Sequence, residues 1–143
     1  MSKKIAKQYL DWSRYLKLID RLGERIDWKK EQFKSIIAIN RGGNVIGTIL
    51  SHKANIPLIV LNKGGIIYER EKFLVVDDIA HTGSTLANIT YLSQGAAMKY
   101  HPLQYANKDF KIATVHVRNE SKVKPDYFVE VTDKWIVYPY EIQ

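Results

Sequence analysis

The chain has 143 residues, 45% hydrophobic and 26% charged, with 22 Lys and Arg against 15 Asp and Glu and no cysteine. That length suffices for one domain with a real core, and the composition excludes a disordered tail. The lack of cysteine excludes disulfides and thiolate metal sites, which fits a reducing cytoplasm. No apolar run approaches the length of a membrane span, and the opening MSKKIAKQYL lacks the apolar core of a secretory signal, so a cytoplasmic protein without a membrane partner is expected. The net charge of +7 is spread along the chain without an uninterrupted basic block. It fits a solvated basic surface or a polyanionic small ligand, and nucleic acid is not expected as a partner.

From Trp12, apolar residues recur at Tyr15, Leu16, Ile19, Leu22 and Ile26, the spacing of an amphipathic helix. Ser35 to Asn40 (SIIAIN) is a short apolar run ending in Arg41-Gly42-Gly43, a buried strand stopping at a glycine turn. Helical spacing follows at Val45, Ile46, Ile49 and Leu50, within Asn44 to Lys53. Ile56 to Leu61 is a second strand, with Pro57 near its start, where a missing N–H does least harm. Lys63-Gly64-Gly65 is a turn before a short strand, Ile66 to Tyr68. Phe73 to Val76 is the next buried strand, Ser84 to about Gln94 a helix ending near Gly95, and Lys111 to Val117 and Tyr127 to Val131 later strands. Strands alternating with helices imply a parallel sheet covered on both faces, with ligands beyond the carboxyl ends of its strands. Both glycine turns, after Asn40 and after Asp78, fall at that edge.

The stretch FLVVDDIAHTGSTL, Phe73 to Leu86, carries the chemistry. Asp77 and Asp78 are expected where the strand emerges, and two neighbouring carboxylates need water, hydroxyl donors or a cation to offset their repulsion. Thr82-Gly83-Ser84-Thr85 follows at a helix start, where unpaired N–H groups and the helix dipole favour an anion. Gly83 permits close approach of the main chain, and the hydroxyls add donors. One loop thus offers acceptors for sugar hydroxyls and a cradle for phosphate, which suits a ribose 5-phosphate.

VVDDIAHTGST resembles the phosphoribosyl-pyrophosphate motif of the type I phosphoribosyltransferases: an apolar strand, two acidic residues, a spacer, then Thr-Gly-x-Thr. IIAINRGGNVIGTILSHKANIP, Ile36 to Pro57, resembles the pyrophosphate loop of the purine members, with Asn40 in place of the usual Ser. There Arg41 supplies a fork of donors, Gly42 and Gly43 expose N–H groups, and a strained cis bond is expected between Arg41 and Gly42. VKPDYFVEVTDKWIVYPYE, Val123 to Glu141, is similar to the C-terminal hood of bacterial xanthine–guanine phosphoribosyltransferases. Carried over, Trp135 stacks on the base and Ile136 reads its edge through the main chain. The resemblance runs along nearly the whole chain. It implies an α/β, Rossmann-like type I phosphoribosyltransferase fold: one domain over residues 1–143, a parallel sheet flanked by helices, and a small hood from about residue 119.

What it implies chemically is transfer of a 5-phosphoribosyl group from phosphoribosyl pyrophosphate to guanine, xanthine or hypoxanthine, as in purine salvage. Mg²⁺ is the implied cofactor, held by Asp78 and Asp77, which also serve the ribose hydroxyls and the charge developing at C1′. His81, Thr82, Gly83, Ser84 and Thr85 are the expected 5-phosphate site, Arg41, Gly42, Gly43 and Lys63 the pyrophosphate site, and Arg118, Trp135 and Ile136 the base site. A homo-oligomer, dimer or tetramer, is expected. Three positions depart from the family pattern. His81 stands where an Asp is usual, and either exchanges a proton with the base or only lines the phosphate loop. Arg118 stands where a Lys is usual, with a larger donor fork, and either meets the base or ends a strand as a surface residue. The lid between strands is short, Asn62 to Lys72, which implies less exclusion of water or help from a neighbouring subunit. His52, His101 and His116 show no metal-ligand spacing and are assigned surface or packing roles. The other class of function is a regulatory protein that binds phosphoribosyl pyrophosphate and controls RNA or a protein partner.

Overall fold

A computed structural model of the chain describes residues 5–67, 71–80, 90–93, 99–102, 110–122 and 124–141. In chain order the elements are β1 (Lys7–Tyr9), α1 (Trp12–Arg25), α2 (Trp28–Glu31), β2 (Ser35–Ile39), α3 (Asn44–Ala54), β3 (Leu58–Leu61), β4 (Ile66–Ile67) and β5 (Phe73–Ala80). They continue with β6 (Thr90–Ser93), β7 (Lys99–Pro102), β8 (Phe110–Arg118), β9 (Glu130–Thr132) and β10 (Trp135–Val137). Five strands form a parallel sheet in the order β3-β2-β5-β8-β9.

The apolar runs of two interior strands, Ile36–Ile39 in β2 and Phe73–Val76 in β5, show no alternation because both of their faces are covered. Ile36, Ala38, Leu74 and Val76 point to the face packed by Leu18, Leu22, Ile46 and Leu50 of α1 and α3, while Ile37, Ile39, Phe73 and Val75 join the opposite cluster. Asp11 caps α1 by accepting from the Arg14 N–H at 2.7 Å. The helix buries Tyr15, Leu18, Ile19 and Leu22, so Leu18 takes the place that the periodicity gave to Leu16, which is exposed. Each such buried aliphatic side chain contributes about 1.5–3 kcal/mol relative to exposure.

Several elements differ from the sequence reading. β5 runs on to Ala80, so Asp77 and Asp78 lie within the strand, because pairing with β8 continues past them through Asp77–Thr114, Ile79–His116 and Ala80–Val117. Thr90–Ser93, expected as the end of a helix, is a strand paired antiparallel with Lys99–Pro102 and parallel with Ile66–Ile67. Thr90 and Tyr91 are residue types that favour a pleated surface, and here strand pairing replaces the expected helix. Residues 84–89 of that expected helix, and Tyr68 of the short strand, are outside the described residues. Near the C-terminus, Tyr127 makes only an isolated bridge to Ala113, and the strand begins at Glu130. β1 and β10, three residues each, pair in parallel and tie the N-terminal segment to the segment carrying Trp135. Strands this short show no periodicity, and their partners are more than a hundred residues apart.

Candidate active site

Parallel register brings the carboxyl ends of β2, β3 and β5 to one edge. Val76 lies level with Ala38, and Ala38 with Val60, so Asp77 and Asp78 stand beside the ends of β2 and β3. The last rung between β2 and β3 is the Asn40 N–H to the Leu61 carbonyl at 2.8 Å, and the chain turns at the next peptide. That peptide, Asn40–Arg41, is the cis bond, one position earlier than expected, because ladder pairing ends at the Asn40 N–H. Asn40 then links three loop positions: its amide donates to Asn62 Oδ1 at 2.8 Å and its oxygen accepts from Asn44 at 2.7 Å.

The turn folds back on the acidic pair. A Cβ built on Gly42 would fall 2.4 Å from Asp78 Oδ2, and one on Gly43 would fall 2.3 Å from the Val76 carbonyl. No side chain larger than hydrogen fits either place. The Gly43 N–H is spent on the Ile39 carbonyl at 2.8 Å and that of Asn44 on the Arg41 carbonyl at 3.1 Å. Arg41 is exposed, and Gly42 is the part of this turn that stands against Asp78.

Asp77 is buried and accepts from the Asp78 N–H at 2.9 Å, while Asp78 Oδ1 accepts from the Ile79 N–H at 2.7 Å. Burial, then the charge of Asp78, pushes the Asp77 carboxyl well above the usual carboxylate range, and the nearby Lys63 ammonium pulls the other way. Lys63, exposed in the Lys63–Gly64 turn, is the cation whose charge acts on Asp77. Mg²⁺ keeps several waters and is usually held by one or two carboxylates together with substrate phosphates. The acidic pair fits that mode, since a cation there would relieve the strain on Asp77. Among the described residues no group of three or more His, Cys, Asp or Glu forms a self-sufficient metal cage.

Three tyrosines surround Asp78. The Tyr140 hydroxyl donates to Asp78 Oδ2, and the Tyr138 hydroxyl lies 3.3 Å from the Asp78 main-chain oxygen. Tyr15 packs edge-on against both rings, at 5.4 and 5.9 Å between centroids. Burial, and next the Asp78 charge, raises the phenol pKa of all three, so they stay protonated, and Tyr138 and Tyr140 keep a proton to donate. Behind Tyr138 a polar chain runs outward from its hydroxyl to buried His116 Nδ1 at 2.9 Å, from His116 Nε2 to half-buried Glu130 at 3.2 Å, and from Glu130 to Arg14 at 2.8 Å. The ion-paired Glu130 requires a proton on His116 Nε2. A neutral His116, whose pKa burial lowers, then accepts at Nδ1 from Tyr138. The sequence signal for this cluster is slight: Tyr-Pro-Tyr near the C-terminus, some sixty residues from Asp78, with no periodicity joining them.

Of the expected base residues, Arg118 is buried. Its Nε donates to Glu120 at 2.6 Å, and its terminal nitrogens reach the carbonyls of Asp133 at 3.1 Å and Lys134 at 3.4 Å. It therefore braces the turn leading into Trp135. The Trp135 side chain remains exposed, with the residue's main-chain N–H on the Ala6 carbonyl at 2.8 Å, while Ile136 is buried and aligned with Gln8. His81, Thr82, Gly83, Ser84 and Thr85 are outside the described residues. A cavity of about 740 Å³ lined by Trp28, Phe33, Leu50, Ile56, Asp20 and Lys53, among others, opens at the amino-terminal edge of the sheet and holds none of the expected site residues. Among the described residues no helix is long and apolar enough to cross a membrane.

No protein-family profile matches the chain. It is 29% identical to the xanthine-guanine phosphoribosyltransferase of Idiomarina loihiensis, over 78% of this chain and 73% of the relative. To the xanthine-guanine phosphoribosyltransferase of Desulfotalea psychrophila it is 27% identical, over 100% of this chain and 92% of the relative. Among solved structures, the purine phosphoribosyltransferase of Pyrococcus horikoshii superposes with a TM-score of 0.74 at 29% identity, covering 97% of this chain and 96% of the other. The xanthine-guanine-hypoxanthine phosphoribosyltransferase of Helicobacter pylori, at 19% identity and a TM-score of 0.72 over 95% and 94% of the two chains, shares the fold.

Proposed function

Since the chain carries the type I phosphoribosyltransferase fold and is similar in sequence to purine members of that family, we propose that it transfers a 5-phosphoribosyl group from phosphoribosyl pyrophosphate to a 6-oxopurine. Guanine, xanthine and hypoxanthine are the candidate acceptors, and the products are the nucleoside 5′-monophosphate and pyrophosphate. The observation that carries this reading is the meeting of Gly42 with the Asp78 carboxylate at the carboxyl edge of the sheet. It sets a diphosphate-type turn and a ribose-type acidic pair side by side, as one doubly phosphorylated sugar requires.

In this reading Arg41, the Gly42 main chain and Lys63 hold the leaving pyrophosphate, with Gly43 shaping the turn. Asp77 and Asp78 accept from the ribose hydroxyls and stabilise positive charge developing at C1′. Mg²⁺, when bound through these carboxylates, neutralises the departing diphosphate. Residues His81 to Thr85 take the 5-phosphate, and His81 is the candidate for proton exchange with the base. Trp135 supports the purine face and Ile136 its edge, on a segment that Arg118 keeps in place. Catalysis of this kind rests on placement and fixed charge, with no covalent enzyme intermediate.

The test is turnover with Mg²⁺, phosphoribosyl pyrophosphate and each nucleobase separately, following pyrophosphate and nucleotide. Release of both products with one of the three oxopurines supports the reading. Binding of phosphoribosyl pyrophosphate without conversion of any base would replace it with a regulatory binding protein, and absence of binding would overturn both.

A further inference from the structure

Asp78 is held from two directions. Its own strand occupies Oδ1 through the Ile79 N–H at 2.7 Å, while Oδ2 accepts from Tyr140, which stands 62 positions away in the chain. A carboxylate's terminal torsion is broad, so one hydrogen bond leaves rotation soft and a second at the other oxygen defines the plane. Tyr140 is itself well fixed. Its ring stacks on Tyr138 with an interplanar angle of 2° and meets Tyr15 edge-on. Tyr138 is anchored through its N–H to Glu141 at 2.6 Å and through its hydroxyl to His116. The same short segment begins with Trp135, whose approach is braced by Arg118.

We propose that Tyr140 is a positioning residue that sets the plane of the Asp78 carboxylate, so that the segment presenting Trp135 to the base also orients the group serving ribose and diphosphate. This rests on the transferase reading above. It also accounts for a polar contact that packing alone does not require: phenylalanine would fill the ring's place between Tyr15 and Tyr138, but only a hydroxyl reaches Oδ2.

The experiment compares wild type, Tyr140→Phe, Asp78→Asn and the double variant in two measurements: calorimetric binding of Mg²⁺–phosphoribosyl pyrophosphate, and steady-state kinetics with the accepted oxopurine. Thermal melts confirm that each variant is folded. Tyr140→Phe is expected to weaken phosphoribosyl-pyrophosphate binding and lower kcat/KM by about tenfold to a hundredfold through loss of a charge-assisted hydrogen bond. KM for the base should change little. In the Asp78→Asn background the same substitution should change binding by less than about threefold, because the charged carboxylate whose plane it sets is gone. A purely structural role would move both backgrounds alike, and that result would overturn the inference. So would wild-type binding and kinetics in Tyr140→Phe, while leaving the transferase reading intact. If wild type itself binds no phosphoribosyl pyrophosphate, the reading and the inference fall together.

Discussion

Gly42→Ala tests the geometry of the site most directly. A Cβ at this position would lie 2.4 Å from Asp78 Oδ2, 2.5 Å from its Cγ and 2.7 Å from Oδ1, whereas ordinary contact begins near 3.4 Å. The whole carboxylate must therefore retreat by about 1 Å. Moved that far, it cannot keep both the Ile79 N–H, now at 2.7 Å, and the Tyr140 hydroxyl. Among the described glycines only Gly64 has positive φ, so alanine at Gly42 carries no backbone penalty and the effect is confined to the carboxylate. Asp78 is partly exposed and water can replace a lost donor, so the stability cost should be about 1 kcal/mol, a few degrees in Tm. A misplacement of about 1 Å at a group that positions substrate costs about a hundredfold in rate, or about 2.7 kcal/mol. Gly43→Ala should behave oppositely. Its Cβ would meet the Val76 carbonyl at 2.3 Å and the Ile39 nitrogen at 2.8 Å, both main-chain atoms of the central strands. Nothing there can swing aside, and a loss of about 3 kcal/mol of stability is expected. Thermal melts and kcat/KM for phosphoribosyl pyrophosphate on both variants decide it. A Gly42→Ala protein with near wild-type kcat/KM, or one destabilised as severely as Gly43→Ala, would refute the reasoning.

Other perturbations address the groups around this turn. The Asp77 pKa is raised in the fold, so its contribution to stability is full below its unfolded value of about 3.9 and is lost as pH rises through the folded value. At neutral pH burying this carboxyl opposes folding, and Asp77→Asn should melt higher than wild type near pH 7.5 while transfer activity falls. A lower melting temperature for that variant would contradict the burial argument. His116 has the reverse sign: burial lowers its pKa, so its contribution is present above about 6.5 and declines as pH falls through the folded value. The melting temperature of wild type should therefore drop below about pH 6.5 more steeply than that of His116→Gln. Arg118→Ala removes the donors to Glu120 and to the Asp133 and Lys134 carbonyls, and should cost about 2 kcal/mol and raise KM for the base more than for phosphoribosyl pyrophosphate. Arg118→Lys should restore only part of this, since one ammonium cannot span the three acceptors.

The order of elements was legible wherever a segment's own pattern decides its fate. Ser35 to Ile39 and Phe73 to Val76 are apolar without alternation, which only a doubly covered strand explains, and both are central strands. Asn44–Ala54 follows the glycine turn as a helix, with positive φ at Asn55 marking its end. Where a local pattern competes with a distant partner it misleads. Thr90–Ser93 falls in a segment expected to be helical yet pairs as a strand, and Leu16 matches the stripe of α1 but faces outward. The placement of Asp77 inside β5 depends on how far β8 continues beside it.

The sequence alone settled the chemical inventory: two adjacent carboxylates following an apolar run, a glycine turn next to a basic fork, and a lone Trp near the C-terminus. These are matters of residue type and near spacing, which short-range sterics and hydrogen bonding govern. Tertiary structure alone decided which of these groups touch. That Gly42 has no room for a side chain because Asp78 stands there, that Arg118 is spent on the turn before Trp135, and that Tyr140 rather than solvent holds Asp78 are consequences of register between strands far apart in the chain. Contacts across such separations depend on how whole elements pack, and no local pattern encodes that distance.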